Sequence, residues 1–227
     1  MSQTPKVGLF ITCLADLLRP SVGFASLRLL EQAGCRVEVP EAQTCCGQPG
    51  ANAGVRSPAD VLAKQVIAAF EDYDALVAPS ASCAGEIKFA YPKRLASDPE
   101  WGPRAEALAA KTFELMSYLD RLGFTPDAPA FEADACYHDT CSALRGMGIS
   151  DAPRKLLAQV EGLSLSDMAD PGACCGFGGS FAASFPEISQ AMGTGKIASA
   201  GKPVIIGGDL GCLIHMQALA DKKGEAL

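Results

Sequence analysis

Eight of the ten cysteines in this 227-residue chain repeat as a set. Cys13 and Cys141 lie 128 residues apart, while Cys45 and Cys174, Cys46 and Cys175, and Cys83 and Cys212 are each 129 apart. Gly34 and Gly162, and Pro58 and Pro186, keep the offset of 128. A whole set recurring at one spacing, with a single residue inserted, marks an internal duplication. The chain is therefore expected to fold as two pseudo-equivalent lobes. Cys35 and Cys136 stand outside the repeat and read as small apolar residues of the core.

Each half reads as strand, helix, strand, Cys-Cys-Gly loop, helix, strand, and a last cysteine at the start of a helix. In the first half, residues 6–12 form a short apolar run and Leu17 to Ala33 has helical spacing that stops at Gly34. A strand follows from Arg36 to Val39, then a turn-rich loop from Cys45, a helix from Ala59 and a strand from Ala75 to Ala78. The second half repeats this order with Ala133 to Tyr137, Ala152 to Val160, Leu163 to Ser166, Glu187 to Ala200 and Val204 to Ile206. Alternating strands and helices imply an α/β fold of two βαβ-type lobes with parallel sheets. The lobes are expected at residues 5–95 and 131–220, with a linking helix and linker at 96–130. The helix is predicted over Trp101 to Gly123, and Pro126 to Pro129 is the linker proper.

Composition narrows the class. A 48% hydrophobic content suffices for a core, and a net charge of -7 without a basic cluster argues against nucleic acid or an anionic membrane as partner. No apolar run reaches the roughly 18 residues of a membrane span, and the start of the chain does not read as a signal peptide. A cytoplasmic location is expected. Thiols there stay reduced, so ten cysteines point to metal or redox chemistry rather than to a disulfide framework.

The predicted layout says where the sulfurs gather. Cys13, Cys83, Cys141 and Cys212 each fall just past the C-terminal end of a strand, where open α/β sheets collect ligands. Cys83 and Cys212 also fall near a helix start, whose N–H groups favour thiolate. With the Cys45-Cys46 and Cys174-Cys175 loops, this makes two candidate metal sites of four thiolates each. Zinc accepts four thiolates, but the neighbouring thiolates of a vicinal pair bridge more readily to different irons of a cluster. Gly47, Gly176, Gly178, Gly179, Gly207, Gly208 and Gly211 would let backbone N–H groups approach cluster sulfur. Iron–sulfur is favoured over zinc, and vicinal disulfides are the least favoured alternative.

Two copies of a Cys…Cys-Cys-Gly…Cys pattern carry a resemblance. It rests on Pro40-Glu41-Ala42-Gln43-Thr44-Cys45-Cys46-Gly47-Gln48-Pro49, Pro79-Ser80-Ala81-Ser82-Cys83, Tyr137-His138-Asp139-Thr140-Cys141, Cys174-Cys175-Gly176-Phe177-Gly178-Gly179 and Gly207-Gly208-Asp209-Leu210-Gly211-Cys212. The chain resembles, over nearly its whole length, the cysteine-rich domain of the heterodisulfide reductases. Similar domains occur in the iron–sulfur subunits of glycolate oxidase and anaerobic glycerol-3-phosphate dehydrogenase, and in the small iron–sulfur subunits of L-lactate-oxidising systems. The resemblance implies an electron-transfer subunit in L-lactate oxidation to pyruvate. It implies a [4Fe–4S] cluster, one or two per chain, and partner subunits that include a further iron–sulfur protein. The wider family closes each copy with Cys-x-x-Cys, where this chain has Ser80 and Asp209 at the first position. That departure counts against disulfide-cleaving chemistry and leaves four cysteines per copy, enough for an ordinary cluster. Neither a ferredoxin-type cysteine run nor a Rossmann glycine fingerprint is present, so flavin and nicotinamide binding are unsupported. Electrons or substrate must then come from another polypeptide.

Few acid–base candidates remain. His138, three residues before Cys141, could hydrogen-bond a cluster sulfur, carry a proton, or simply pack. His215, one turn after Cys212, reads mainly as a packing residue. Asp16 and Asp139 read as loop or capping carboxylates. Arg19 and Arg145 could offset cluster charge, though solvated surface is the default for arginine.

Overall fold

A buried parallel strand reads as a continuous apolar run, and the first lobe is built on two of them, β1 (Lys6–Leu9) and β3 (Ala75–Ala78). In the computed structural model, which describes residues 4–224, two units separate after Phe124. The first unit runs β1, α1 (Cys13–Leu18), α2 (Pro20–Gln32), β2 (Arg36–Glu38), α3 (Gln48–Asn52), α4 (Arg56–Phe70), β3, α5 (Ala81–Gly85), a π-helical stretch Glu86–Ala90, α6 (Tyr91–Leu95), α7 (Trp101–Ala110), β4 (Thr112–Glu114) and α8 (Leu115–Arg121). Its sheet is parallel in the order β2-β1-β3-β4. Val7, Leu9, Phe10, Leu76 and Val77 are wholly buried among Leu30, Val66, Ile67 and Phe70 of the covering helices.

The second unit runs β5 (Ala130–His138), a π-helical turn Ser142–Met147, α9 (Asp151–Leu157), β6 (Glu161–Asp167), α10 (Ser180–Ser184), α11 (Pro186–Ala198), β7 (Val204–Gly207) and α12 (Leu210–Lys223). Its three parallel strands stand in the order β6-β5-β7, the counterpart of β2-β1-β3. The ladders keep the cysteine offset residue by residue. Val7 pairs with Ala75 as Ala135 pairs with Val204, and Lys6 pairs with Arg36 as Asp134 pairs with Ser164. Gly34 and Gly162 share a left-handed backbone, at φ 82° and 80°, Gly34 just ahead of β2 and Gly162 at the start of β6.

The fold is thus a duplicated α/β fold, as the repeat predicts. Two local readings change. The helix expected over Trp101 to Gly123 is two helices with β4 between them, because Thr112 to Glu114 extends the first sheet alongside β3. Glu114 then caps α8, its carboxylate accepting from the Met116 and Ser117 amides at 3.0 Å each. This segment belongs to the first unit, which has a fourth strand where the second unit has none among the described residues. The loop after Cys46 also carries a short helix, α3. No helix among the described residues is long and apolar enough to cross a membrane.

Candidate metal centres

In the first lobe, four thiols come from three places at the C-terminal edge of the sheet. Cys13 opens α1, whose N-cap Thr12 accepts from the Ala15 amide at 3.3 Å. Cys45 and Cys46 lie in the loop after β2, and Cys83 sits in the first turn of α5, held by Ser80 as N-cap. The Sγ atoms of Cys13 and Cys45 are 3.7 Å apart, and those of Cys46 and Cys83 3.4 Å. Gly47, at φ 82°, turns the chain so that its amide donates to the Cys45 sulfur at 3.4 Å. The Tyr91 hydroxyl donates to the Cys46 carbonyl at 2.8 Å and fixes the loop from below.

This set has a wet side and a dry side. Cys13 is exposed, and with Cys45 it borders a cleft of about 380 Å³ that Ile11, Asp16, Val39 and Gln43 also line. Cys46 and Cys83 are buried. Hydrogen bonds from Cys13 and Cys46, and the Gly47 amide, hold the Cys45 thiol far below the usual range. The donors shift the other way: Cys13 and Cys46 are raised, chiefly by their bonds to Cys45 and then by burial or Cys83. Of the four sulfurs, Cys45 is the one whose neighbours favour the thiolate form. Beneath it, the buried Glu86 is ion-paired with Arg94, which also reaches Asp60 at 2.9 Å.

The second lobe repeats the plan with different neighbours. Cys141 leads into the π-helical turn, where Thr140 accepts from the Ala143 amide at 3.2 Å. The Thr140 hydroxyl donates in turn to Asp209 at 2.7 Å, tying the tip of β5 to the start of α12. Gly176, at φ 84°, donates to the Cys174 sulfur at 3.4 Å, as Gly47 does to Cys45. Cys175 and Cys212 are buried against Met216, Phe177 and Leu213. Cys141 is pushed up, first by its hydrogen bond to Cys174. For Cys175 the bond with Cys174 pulls down, but Cys212 and burial outweigh it and raise the thiol to about 12. All eight repeated cysteines are free thiols.

His138 is the feature that spacing alone left open. It ends β5, is wholly buried, and neither ring nitrogen has a hydrogen-bond partner. A ring nitrogen and the Sγ atoms of Cys175 and Cys212 lie within 4.8 Å of one another. Burial, and secondarily the charge of Lys196, push the imidazole down to about 4 against the opposing pull of Asp139. A buried polar group left unpartnered costs about 1–3 kcal/mol. A cradle of thiols with an orphaned imidazole beside it fits a sulfur-rich metal group, whose acceptors would satisfy the ring.

The remaining candidates separate. Asp139 is not a loop cap but the partner of Arg154, which grips both its oxygens at 2.9 and 2.7 Å. His215 packs as expected, its Nε2 3.2 Å from the Ser189 hydroxyl. Arg145 lies close enough to Cys141 to favour its thiolate while donating to the Gly172 carbonyl at 2.8 Å. Arg19 turns back onto the Leu18 carbonyl at 2.9 Å. Cys35 and Cys136 are buried, Cys136 against Met168 and Ala200. Sequence reasoning did not single out Lys196, buried in the second lobe with its amine donating to the Asp170 and Pro171 carbonyls at 2.6 and 3.2 Å. Only its position inside the α11 pattern could have flagged it.

The "cysteine-rich domain" family model known as CCG matches residues 7–88 and 135–217. Curated relatives match almost end to end. Lactate utilization protein A of an Exiguobacterium species is 44% identical over 98% of this chain and 93% of the relative. The proteins of that name from Geobacillus kaustophilus and Oceanobacillus iheyensis are 42% and 39% identical, over 98% and 97% of this chain and 94% and 91% of the relative.

Proposed function

The chain belongs to the cysteine-rich CCG-domain family, among the proteins named lactate utilization protein A, and from that premise we propose that it is an iron–sulfur electron-transfer subunit of an oxidoreductase that oxidises L-lactate to pyruvate. The single observation that carries the reading is the convergence of four free thiols in each lobe around a backbone N–H donor, Gly47 in one and Gly176 in the other. Cys13, Cys45, Cys46 and Cys83 would hold one group, and Cys141, Cys174, Cys175 and Cys212 the other. Such a cluster supplies one-electron storage when bound. The protein's share is to exclude water from Cys46, Cys83, Cys175 and Cys212, to place amides on Cys45 and Cys174, and to leave Cys13 open at the first lobe's cleft. That exposed edge suits electron exchange with another polypeptide of the complex in the cytoplasm. Substrate oxidation is assigned to the partners, as the sequence carries no Rossmann glycine fingerprint for a nicotinamide or flavin.

One observation favours a second reading. The 3.4 and 3.7 Å sulfur separations match the edge of about 3.8 Å expected for a single tetrahedral ion with metal–sulfur bonds of about 2.3 Å. Structural zinc would give those edges. Anaerobic purification followed by iron, zinc and acid-labile sulfide analysis separates the two. A brown protein with iron and sulfide in equal amounts is expected. That protein should be reduced by lactate only when its partner proteins are present. Colourless zinc protein, or lactate turnover by this chain alone, would overturn the proposal.

A further inference from the structure

The duplication makes each lobe a control for the other, and next to the thiols one position differs in kind. In the common register His138 of β5 stands where Phe10 follows β1, both wholly buried at the sheet edge that leads to the first cysteine. Phe10 is satisfied by packing, its ring 5.6 Å from that of Phe70. His138 is not satisfied: both nitrogens are unpartnered, and one of them lies within 4.8 Å of the sulfurs of Cys175 and Cys212.

Resting on the iron–sulfur reading above, we infer that a ring N–H of His138 donates to a sulfur of the second-lobe centre at its Cys175–Cys212 edge, which makes the two centres of the chain electronically inequivalent. Imidazole carries at least one N–H in either protonation state, so the donor is present across the working pH range. A hydrogen bond to cluster or thiolate sulfur withdraws electron density and favours the more negative, reduced form. Lys196 adds in the same direction, being a buried amine of α11 near Cys175, whereas the buried side of α4 in the first lobe carries apolar Val66 and Ile67. Both groups raise the potential of the second centre above the value it would have without them, and nothing at the position of His138 does so in the first lobe. His138 touches sulfur rather than substrate, so its role is tuning.

The test uses the full chain, purified anaerobically with ¹⁵N-labelled histidine, with iron and sulfide counted first. Pulsed EPR of the reduced protein should show a ¹⁵N coupling that disappears in His138→Phe, the first lobe's own residue. Redox titration of the same variant should lower the second midpoint potential and leave the first unchanged. His138→Gln, which keeps an N–H donor, should restore most of the shift. Clusters present in both lobes with the coupling absent, or retained in His138→Phe, or with potentials unmoved, would refute the inference while the cluster reading stands. Should His138→Phe lose its iron, the wild-type coupling and the His138→Gln potential still decide. Iron and sulfide absent from both lobes would remove the reading and the inference together.

Discussion

The eight repeated cysteines are not interchangeable, because burial divides each set into a wet and a dry half. A thiolate ligand at a dry position has no water to replace it when it is removed, whereas an exposed position can be refilled by solvent. Cys46 and Cys175 are each 2% exposed and lie next to the sulfur that accepts the glycine amide. Cys46→Ser should therefore strip most of the iron from the first lobe and spare the second, and Cys175→Ser should do the reverse. Iron and sulfide per chain, measured beside the wild type, should fall by about half in each variant. Full retention in both would overturn the ligand assignment. Cys35 and Cys136 are buried too but stand outside the sets, Cys136 packed against Met168 and Ala200, where a thiol behaves as a small hydrophobe.

At the scale of elements, the vicinal cysteine loop works only because the following glycine turns the chain back. Gly176 has φ 84°, and a Cβ added there would meet the Ser189 carbonyl oxygen at 2.5 Å. That oxygen belongs to α11, so relief requires moving a helix backbone rather than a side chain. Gly176→Ala should combine left-handed strain of about 1–2 kcal/mol with this clash. It should lower thermal stability and release iron from the second lobe. Gly201→Ala is the control, with φ 63° but open space around the added carbon, and should show the strain alone. Equal melting temperatures and iron contents in the two variants would refute the steric account. The same scale shows why one element was misread. Ala, Leu and Phe recur at helical spacing through Trp101 to Gly123, and a three-residue edge strand is too short to interrupt that period visibly. Thr112 to Glu114 is a strand because β3 offers it a free edge, and the Leu76 amide donates to the Lys111 carbonyl at its entrance.

For the whole molecule, the two units have their own sheets, their own cores and their own sets of thiols. The first unit includes α7, β4 and α8, so a chain ending at Phe124 keeps every element of its fold. Such a truncation should fold cooperatively and bind about half the iron of the full chain, read by circular dichroism and metal analysis. A chain cut at residue 95, before β4, should expose the β3 edge and aggregate. Equal behaviour of the two truncations would show that β4 is dispensable. The duplication, the α/β class and the thiol sets were legible from the amino-acid sequence because a repeat offset survives in covalent order, and the strand ladders then keep it pair by pair. Tertiary structure alone decided that His138 is unpartnered beside Cys175 and Cys212, that Asp139 answers Arg154, and that Lys196 is buried. Desolvation and hydrogen-bond satisfaction depend on which distant residues close over a group, and no local spacing encodes that.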